Sequence, residues 1–318
     1  MKVLVTGGAG FIGSHVCDLL LEKGHEVVAY DNLSLGRKEF LSSCLKHDQF
    51  TFVEKDLRNL NDVVEAMSGV DLVWHLAANS DISKGAETTS IDLENGTLAT
   101  YNVLEAMRIK EVKELIFAST SAVYGEADVK PTPESYGPIL PISLYGASKL
   151  ACEGLCSAFS HNFDIKVWIH RFANIIGPRA THGVIFDFVE KLKKTPNELQ
   201  VLGNGTQKKS YLDVKDCIDG MMFAYENSKE LLQYYNLAAD GVTQVKDIAE
   251  MVVARMENQT GAKADIVYGS SDRGWKGDVP YTWLEAEKLA SAGWKASMSS
   301  NEAVLSAVDR IVRERHST

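Results

Sequence analysis

The chain is poor in cysteine, has no long apolar run and carries no excess of positive charge. Its five cysteines in 318 residues (Cys17, Cys44, Cys152, Cys156, Cys217) are too few, and odd in number, for a disulfide framework. They fall mostly inside helical patterns and read as small core residues in a reducing compartment, so a cytoplasmic location is expected. Cys152 and Cys156 share a helix face, but no further His or Cys at ligand spacing completes a site, and no metal is expected. No apolar stretch is long enough to cross a bilayer. A strand pattern starting at residue 2 leads us to expect no secretory leader. The formal net charge of −10 argues against nucleic acid and against an anionic membrane surface as partners. It does not exclude an anionic small substrate, which needs only a local basic pocket. There is no internal repeat, low-complexity tract or long linker.

What is present suits a soluble globular protein: 45% apolar and 24% charged residues. The length predicts one large domain with a smaller appended lobe. Met1 to Asp31 is the most informative stretch. An apolar run, Val3 to Val5, ends in Thr6 and the glycines Gly7, Gly8, Gly10 and Gly13. An amphipathic helix pattern opening on Phe11 and Ile12 follows, then a second apolar run, Val27 to Tyr30, closed by Asp31. Strand, tight turn, helix, strand, acid is the order that holds a dinucleotide on a helix N-terminus. Gly7 permits the sharp turn, Gly10 lets backbone approach a pyrophosphate, and Gly13 lets the helix pack close to the sheet. Ser14 follows Gly13 where an ATP-type phosphate loop needs lysine. A carboxylate at Asp31 binds adenosine ribose hydroxyls and repels a 2′-phosphate, which favours NAD over NADP. Arg37 and Lys38 are read as residues of a solvated loop.

Strand and helix patterns alternate through the first half. Strands are expected at 51–54, 70–75, 115–118 and 166–171, with helices at 97–108 and 145–163. This alternation implies a doubly wound parallel sheet of Rossmann type, with ligands at the carboxyl ends of its strands. Helical stretches recur at 187–194, 215–226, 245–257 and 302–313, separated by Gly and Pro breaks. They are expected to form a smaller C-terminal α/β lobe that binds substrate. The expected division is a dinucleotide-binding domain over 1–174, with 211–240 returning to it, and a lobe over 175–210 and 241–318.

Tyr145-Gly-Ala-Ser-Lys149 opens the longest of these helices. Residues four apart share a helix face, so the lysine charge is expected to lower the tyrosine pKa and make a phenolate a usable base. The spacing alone is weak, since Tyr211/Lys215 and Tyr225/Lys229 repeat it; those two are read as surface or structural pairs. Context singles out Tyr145. Ser119-Thr120-Ser121 follows a strand, and the Thr120 hydroxyl at that strand end adds a third group able to manage a proton, although a hydroxyl there also serves as a turn or cap.

With these motifs in view, the chain resembles the extended short-chain dehydrogenase/reductase family, in particular nucleotide-sugar epimerases of the UDP-glucose 4-epimerase type. Nine ordered segments over nearly the whole length carry the resemblance: TGGAGFIGSH, DNLSLG, Asp56-Leu57, HLAAN, STSAVYG, YGASK, RFANIIGPR, LGNGTQKKSYLDV and DRGWKGDVP. It implies that Asp31, Asn32, Ser34 and Gly36 hold the adenosine ribose of NAD, and Asp56 and Leu57 its adenine. Ala77, Ala78 and Lys149 would line the nicotinamide side. Asn174 would bind the diphosphate of a nucleotide-sugar, and Val184, Gln207, Lys209, Tyr211 and Arg273 its nucleotide part. Lys209 replaces an arginine usual in relatives, keeping the charge but losing the bidentate fork. Gly96 stands where many relatives carry Asn.

The resemblance implies epimerisation at C4 of a UDP-hexose through a 4-keto sugar, with Tyr145, Lys149 and Thr120 as the catalytic set. It also implies a homodimer, in which the helices over 97–108 and 145–163 pair with their copies. Related 4,6-dehydratases carry Thr-Asp-Glu where this chain has Thr120-Ser121-Ala122, and related decarboxylases carry a glutamate there. A non-catalytic NAD sensor would not need the Tyr145/Lys149 pair. Thr282 corresponds to a position where relatives place either a bulky tyrosine or a smaller residue beside the sugar. Threonine leaves room for a C2 N-acetyl group, unless Tyr281 fills the space.

Overall fold

Val3, Leu4 and Val5 are each fully buried, yet they belong to two different cores. Alternate side chains of a strand point to opposite faces, so a strand apolar at every position must be covered on both. The computed structural model, which describes residues 1–316, shows how this is done. The strands in chain order are β1 (Lys2–Thr6), β2 (Glu26–Asp31), β3 (Phe50–Glu54), β4 (Leu72–His75), β5 (Glu114–Thr120), β6 (Lys166–Phe172), β7 (Asn174–Ile176), β8 (Glu198–Val201), β9 (Lys208–Lys209), β10 (Tyr211–Asp213), β11 (Leu232–Leu237), β12 (Thr243–Gln244), β13 (Asp265–Tyr268) and β14 (Tyr281–Thr282). The helices are α1 (Phe11–Glu22), α2 (Leu60–Ala66), α3 (Lys84–Glu87), α4 (Ala99–Lys110), α5 (Leu144–Phe163), α6 (Val184–Lys194), α7 (Val214–Asn227), α8 (Val245–Thr260), α9 (Glu287–Ala292) and α10 (Ser300–His316).

Seven strands form one sheet in the order β3-β2-β1-β4-β5-β6-β11, and every neighbouring pair is parallel. One face is covered by α1 and α7, whose Val16, Leu20, Cys217 and Met221 pack on Val3, Val5 and Trp74. The other is covered by α2, α4 and α5, whose Val63, Leu104, Met107 and Cys152 pack on Leu4, Val73 and Phe117. This is the Rossmann-type arrangement. Strand order reverses between β1 and β4, which opens a crevice at their carboxyl ends, where such sheets bind ligands.

After β6 the chain moves between two bodies. β7 pairs with β10 and β8 with β13, while β9 lies between β12 and β14. These short strands frame a separate apolar core in which α6, α8 and α10 contribute Phe188, Val252 and Val308. Between them, α7 and β11 lie on the main sheet, β11 in register with β6 from Leu232↔Val167 to Leu237↔Phe172. A π-helical turn, Leu93–Leu98, leads into α4, so the helix expected from residue 97 begins as a wider coil. All five cysteines are buried and unpaired. Among the described residues, no helix is long and apolar enough to cross a membrane.

Candidate active site

Gly7 and Gly13 make the tight turn and the close packing expected of them. Gly7 has φ +69°, and a Cβ there would lie 2.9 Å from the backbone nitrogen of Ala77. A Cβ on Gly13 would lie 2.0 Å from the Gly7 carbonyl oxygen. Only two bare glycines let the first turn of α1 sit so close to the end of β1. Gly8 belongs to the same set, although its spacing does not announce it: its Cβ would meet that of Ala29 at 2.7 Å. Gly10 caps α1 without a side chain, and the first turn of α1, with Phe11 and Ile12, carries no acid. Its unpaired backbone N–H groups are free for an anion.

Asp31 ends β2 and is 8% exposed. It accepts from Ala9 N at 3.0 Å and Leu33 N at 2.8 Å. Burial pushes its carboxyl pKa up, and these two bonds oppose the rise. A Cβ on Gly36 would sit 2.8 Å from an Asp31 oxygen, so glycine keeps this carboxylate clear. Ser34 is exposed beside it, its N–H bonded to Asn32 Oδ1 at 3.1 Å. Asp56 accepts from Asn32 Nδ2 at 3.1 Å and from Arg58 at 3.0 and 2.8 Å. The Arg58 hydrogen bonds hold its carboxyl down at about 2. The sequence reading missed Arg58, which lies two residues after Asp56 and grips it from within the same loop. Leu57 is buried, and its carbonyl accepts from Asn102 at 2.8 Å.

Ala77 and Ala78 leave β4 beside the glycine turn. Below them His75, 1% exposed, is held between Thr6 Oγ1 at 2.6 Å and Thr100 Oγ1 at 2.9 Å. Burial lowers its pKa to about 3, so the ring stays neutral.

Ser143 caps α5 through Gly146 N, which places Tyr145 and Lys149 in its first two turns. Tyr145 is partly buried, and the Thr120 hydroxyl at the end of β5 is near enough to bear on its phenol. Thr120 Oγ1 also accepts from Ala122 N at 3.1 Å, so the same hydroxyl caps the turn and lies near the phenol. Lys149 is 3% exposed and donates to the Ala118 carbonyl at 2.7 Å. One expectation is revised here. Burial raises the Tyr145 pKa, and the largest opposing effect comes from the Thr120 hydroxyl, not the lysine charge. The Lys149 pKa is itself lowered by burial. Desolvation outweighs the attraction that the four-residue spacing suggested.

The nucleotide-side residues gather around β9 and β14, where Lys209 lies opposite Thr282. Lys209 Nζ pairs with Asp278 at 2.5 Å and stands 5.2 Å from the centre of the Trp275 ring. Arg273 donates to the Asp278 carbonyl at 2.8 Å and to Glu126 at 2.5 Å. Gln207 is 2% exposed, and its Oε1 has no partner among the described residues. Asn174 donates to the Ser210 carbonyl at 3.3 Å, beside Lys209. Val184 opens α6 and packs on the lobe core. Tyr211 departs from the rest: at 3% exposure its ring packs with Ile176 and Ile185, so the structure gives it a packing role. It is not a surface residue, and the Tyr211/Lys215 spacing pairs a buried ring with an exposed lysine.

Residues 3–238 match the NAD dependent epimerase/dehydratase family. The chain belongs to that family. A putative UDP-glucose 4-epimerase from Methanocaldococcus jannaschii is 30% identical over 309 residues, 95% of each chain. A crystal structure of a UDP-galactose 4-epimerase superposes with a TM-score of 0.88 at 37% identity, covering 99% of both chains. The UDP-glucose 4-epimerase of Thermus thermophilus, solved with NAD, gives 0.85 at 30% identity, covering 98% of this chain and 99% of that one. The residues present fit the family's dinucleotide. Bare glycines clear the end of β1, an acid-free helix start faces an anion, and a clear carboxylate ends β2.

Proposed function

We propose that this protein is an NAD-dependent epimerase acting at C4 of a UDP-hexose, with UDP-glucose and UDP-galactose as its pair of substrates. The observation that carries the reading is the placing of Tyr145 and Lys149 at the start of α5 against the end of β5, with Lys149 anchored on the Ala118 carbonyl and the Thr120 hydroxyl near the phenol. Gly7, Gly10, Gly13, Asp31, Ser34, Gly36, Asp56, Ala77 and Ala78 would hold NAD, which when bound supplies the hydride acceptor that later returns the hydride. Tyr145 takes the proton of the sugar's 4-hydroxyl and gives it back after the 4-keto sugar has turned. Thr120 holds the phenol oxygen and the 4-hydroxyl in one line. Lys149, fixed by its bond to Ala118, would hold the nicotinamide ribose. Asn174 would bind the diphosphate of the nucleotide-sugar, and Lys209 and Arg273, held by Asp278 and Glu126, would contact its nucleotide part. Thr120-Ser121-Ala122 offers no carboxylic acid for eliminating water across C5 and C6, which separates this reading from a 4,6-dehydratase.

The test is incubation with UDP-, TDP-, GDP- and CDP-hexoses, with NMR of the products. Interconversion of UDP-glucose and UDP-galactose is expected. No conversion of any hexose at C4 overturns the reading.

Two finer points belong to the same reading. Leu98, Tyr101 and Phe163 are 49%, 42% and 37% exposed at α4 and α5, and Tyr101 and Phe163 both pack on Phe159. A second copy covering this aromatic surface makes a homodimer, and light scattering giving the 35.0 kDa mass of one chain refutes it. Five unpaired buried thiols support a reducing compartment, the cytoplasm.

A further inference from the structure

Glu153 and Arg171 form a buried ion pair that the proposed chemistry does not use. Their side chains are 9% and 7% exposed. Arg171 Nε donates to Glu153 Oε1 at 3.0 Å and Nη2 to Oε2 at 2.7 Å, a bidentate pair between α5 and β6. A buried ion pair is a weak source of stability, because desolvation offsets most of the attraction. The surroundings of this one point to another role.

Tyr145, Lys149 and Glu153 are spaced by four and lie along one stripe of α5. Two of them bond the last residues of β5: Lys149 donates to Ala118 O at 2.7 Å, and Glu153 Oε1 accepts from Ser119 Oγ at 2.5 Å, while Tyr145 lies near Thr120. Arg171 continues the chain of contacts. Its Nη1 donates to Tyr124 Oη at 2.9 Å, and Tyr124 donates to Asn236 Oδ1 on β11 at 2.8 Å. Thr120 therefore sits in a short segment tied at both ends, at Ser119 by Glu153 and at Tyr124 by Arg171.

We propose that the Glu153–Arg171 pair is a positioning device, setting the register of α5 on β5 so that Tyr145 lies near Thr120 and Lys149 reaches Ala118. This rests on the proposed proton-transfer role of Tyr145 and Thr120. Misplacement by about 1 Å costs about 10²-fold in rate without a matching loss of binding, so the device is read in kcat and not in affinity.

Two variants test it in the full-length protein. Glu153→Leu combined with Arg171→Met removes both charges and leaves no unpaired ion. Ser119→Ala removes only the strand-end bond, and it decides the matter should the double variant fail to fold. The folded double variant is expected to lose about 10²-fold in kcat, and Ser119→Ala about 10-fold, while NAD content and the Kd for UDP stay at wild-type values. A kcat within about twofold of wild type in the folded variants overturns the proposal. So does a fall in kcat matched by equal losses of NAD content and UDP affinity, which marks a purely structural pair. A crystal structure reads the geometry without activity: loss of the Lys149–Ala118 bond and a shift of Tyr145 away from Thr120 in the variant support the proposal, and an unchanged α5 start with that bond intact overturns it. A wild-type protein that converts no nucleotide-hexose refutes the functional reading alone, since that structural comparison still decides the positioning.

Discussion

Acid should destabilise this protein through its buried histidines, and His170 gives the cleaner test. It lies on β6, fully buried, with its ring stacked on Tyr235 at a centroid distance of 6.0 Å. Neither ring nitrogen has a hydrogen-bond partner among the described residues. Burial pushes its pKa from the ordinary 6.5 down to about 3. Between those values the unfolded chain carries the proton and the folded chain does not. Stability is therefore complete above the unfolded pKa and falls as pH drops toward the folded one. The loss between about pH 7 and about pH 5 is roughly 2 kcal/mol for one such histidine. His75, lowered to about 3 by the same burial, adds a similar amount. His170→Phe keeps an aromatic ring on Tyr235 and removes the titration. Urea unfolding of wild type and variant near both pH values should show the acid-induced loss shrinking by roughly 2 kcal/mol in the variant. An equal loss in the two proteins would refute the reasoning, because it would mean that His170 titrates alike in both states.

Tyr145→Phe should cost about 10²–10⁴-fold in turnover with NAD content unchanged, and Thr120→Val should cost less; near-normal turnover in the first would sink its assignment. The purified protein should carry NAD, while Gly13→Ala should lose it, since the added Cβ would lie 2.0 Å from the Gly7 carbonyl oxygen; mass spectrometry of the denatured proteins checks both, and NADP in the wild type contradicts the role given to Asp31. Thr282→Tyr should abolish turnover of UDP-N-acetylglucosamine and spare UDP-galactose. The Tyr281 ring lies 5.1 Å from the Lys130 ammonium; no wild-type conversion of the N-acetylated sugar would show that the pocket is closed.

The parallel sheet is legible because each of its central strands must be apolar on both faces, and Val3 to Val5 or Leu115 to Ala118 admits few other readings. The glycine turn is legible because backbone crowding leaves one residue type. The polar clamps are not, because they join residues distant in the chain. Arg171 bonds Glu153 across 18 residues, and Arg273 bonds Glu126 across 147. A signal for the first was present: Glu153 falls on the stripe that carries Lys149 and the buried Cys156, and Arg171 lies within a strand whose Val167, Trp168, Ile169 and Phe172 are apolar. Opposite charges at two positions that periodicity assigns to the interior call for each other. No such signal marks Glu126, an exposed loop residue outside any periodic pattern.

Gly96 leaves room for a side chain from the neighbouring helix. Its Cβ would lie 2.2 Å from the hydroxyl of Ser148. That hydroxyl donates to the Asp92 carbonyl at 2.6 Å and lies 3.0 Å from Thr97 Oγ1. Ser148 thus places its oxygen where a side chain at 96 would start, and it bridges the π-helical turn that leads into α4. The Asn95 amide donates to the Ile91 carbonyl at 3.0 Å. Ser148 also precedes Lys149, so the contact that fills the space left by Gly96 fixes the turn of α5 that carries the lysine. An asparagine at 96 would need Ser148 to move, and the two positions should therefore change together. Gly96→Asn alone strains the start of α5 and should lower the urea midpoint, whereas Gly96→Asn with Ser148→Gly should recover part of that loss. A double variant less stable than Gly96→Asn alone would mean that the serine hydroxyl is not what the new side chain meets.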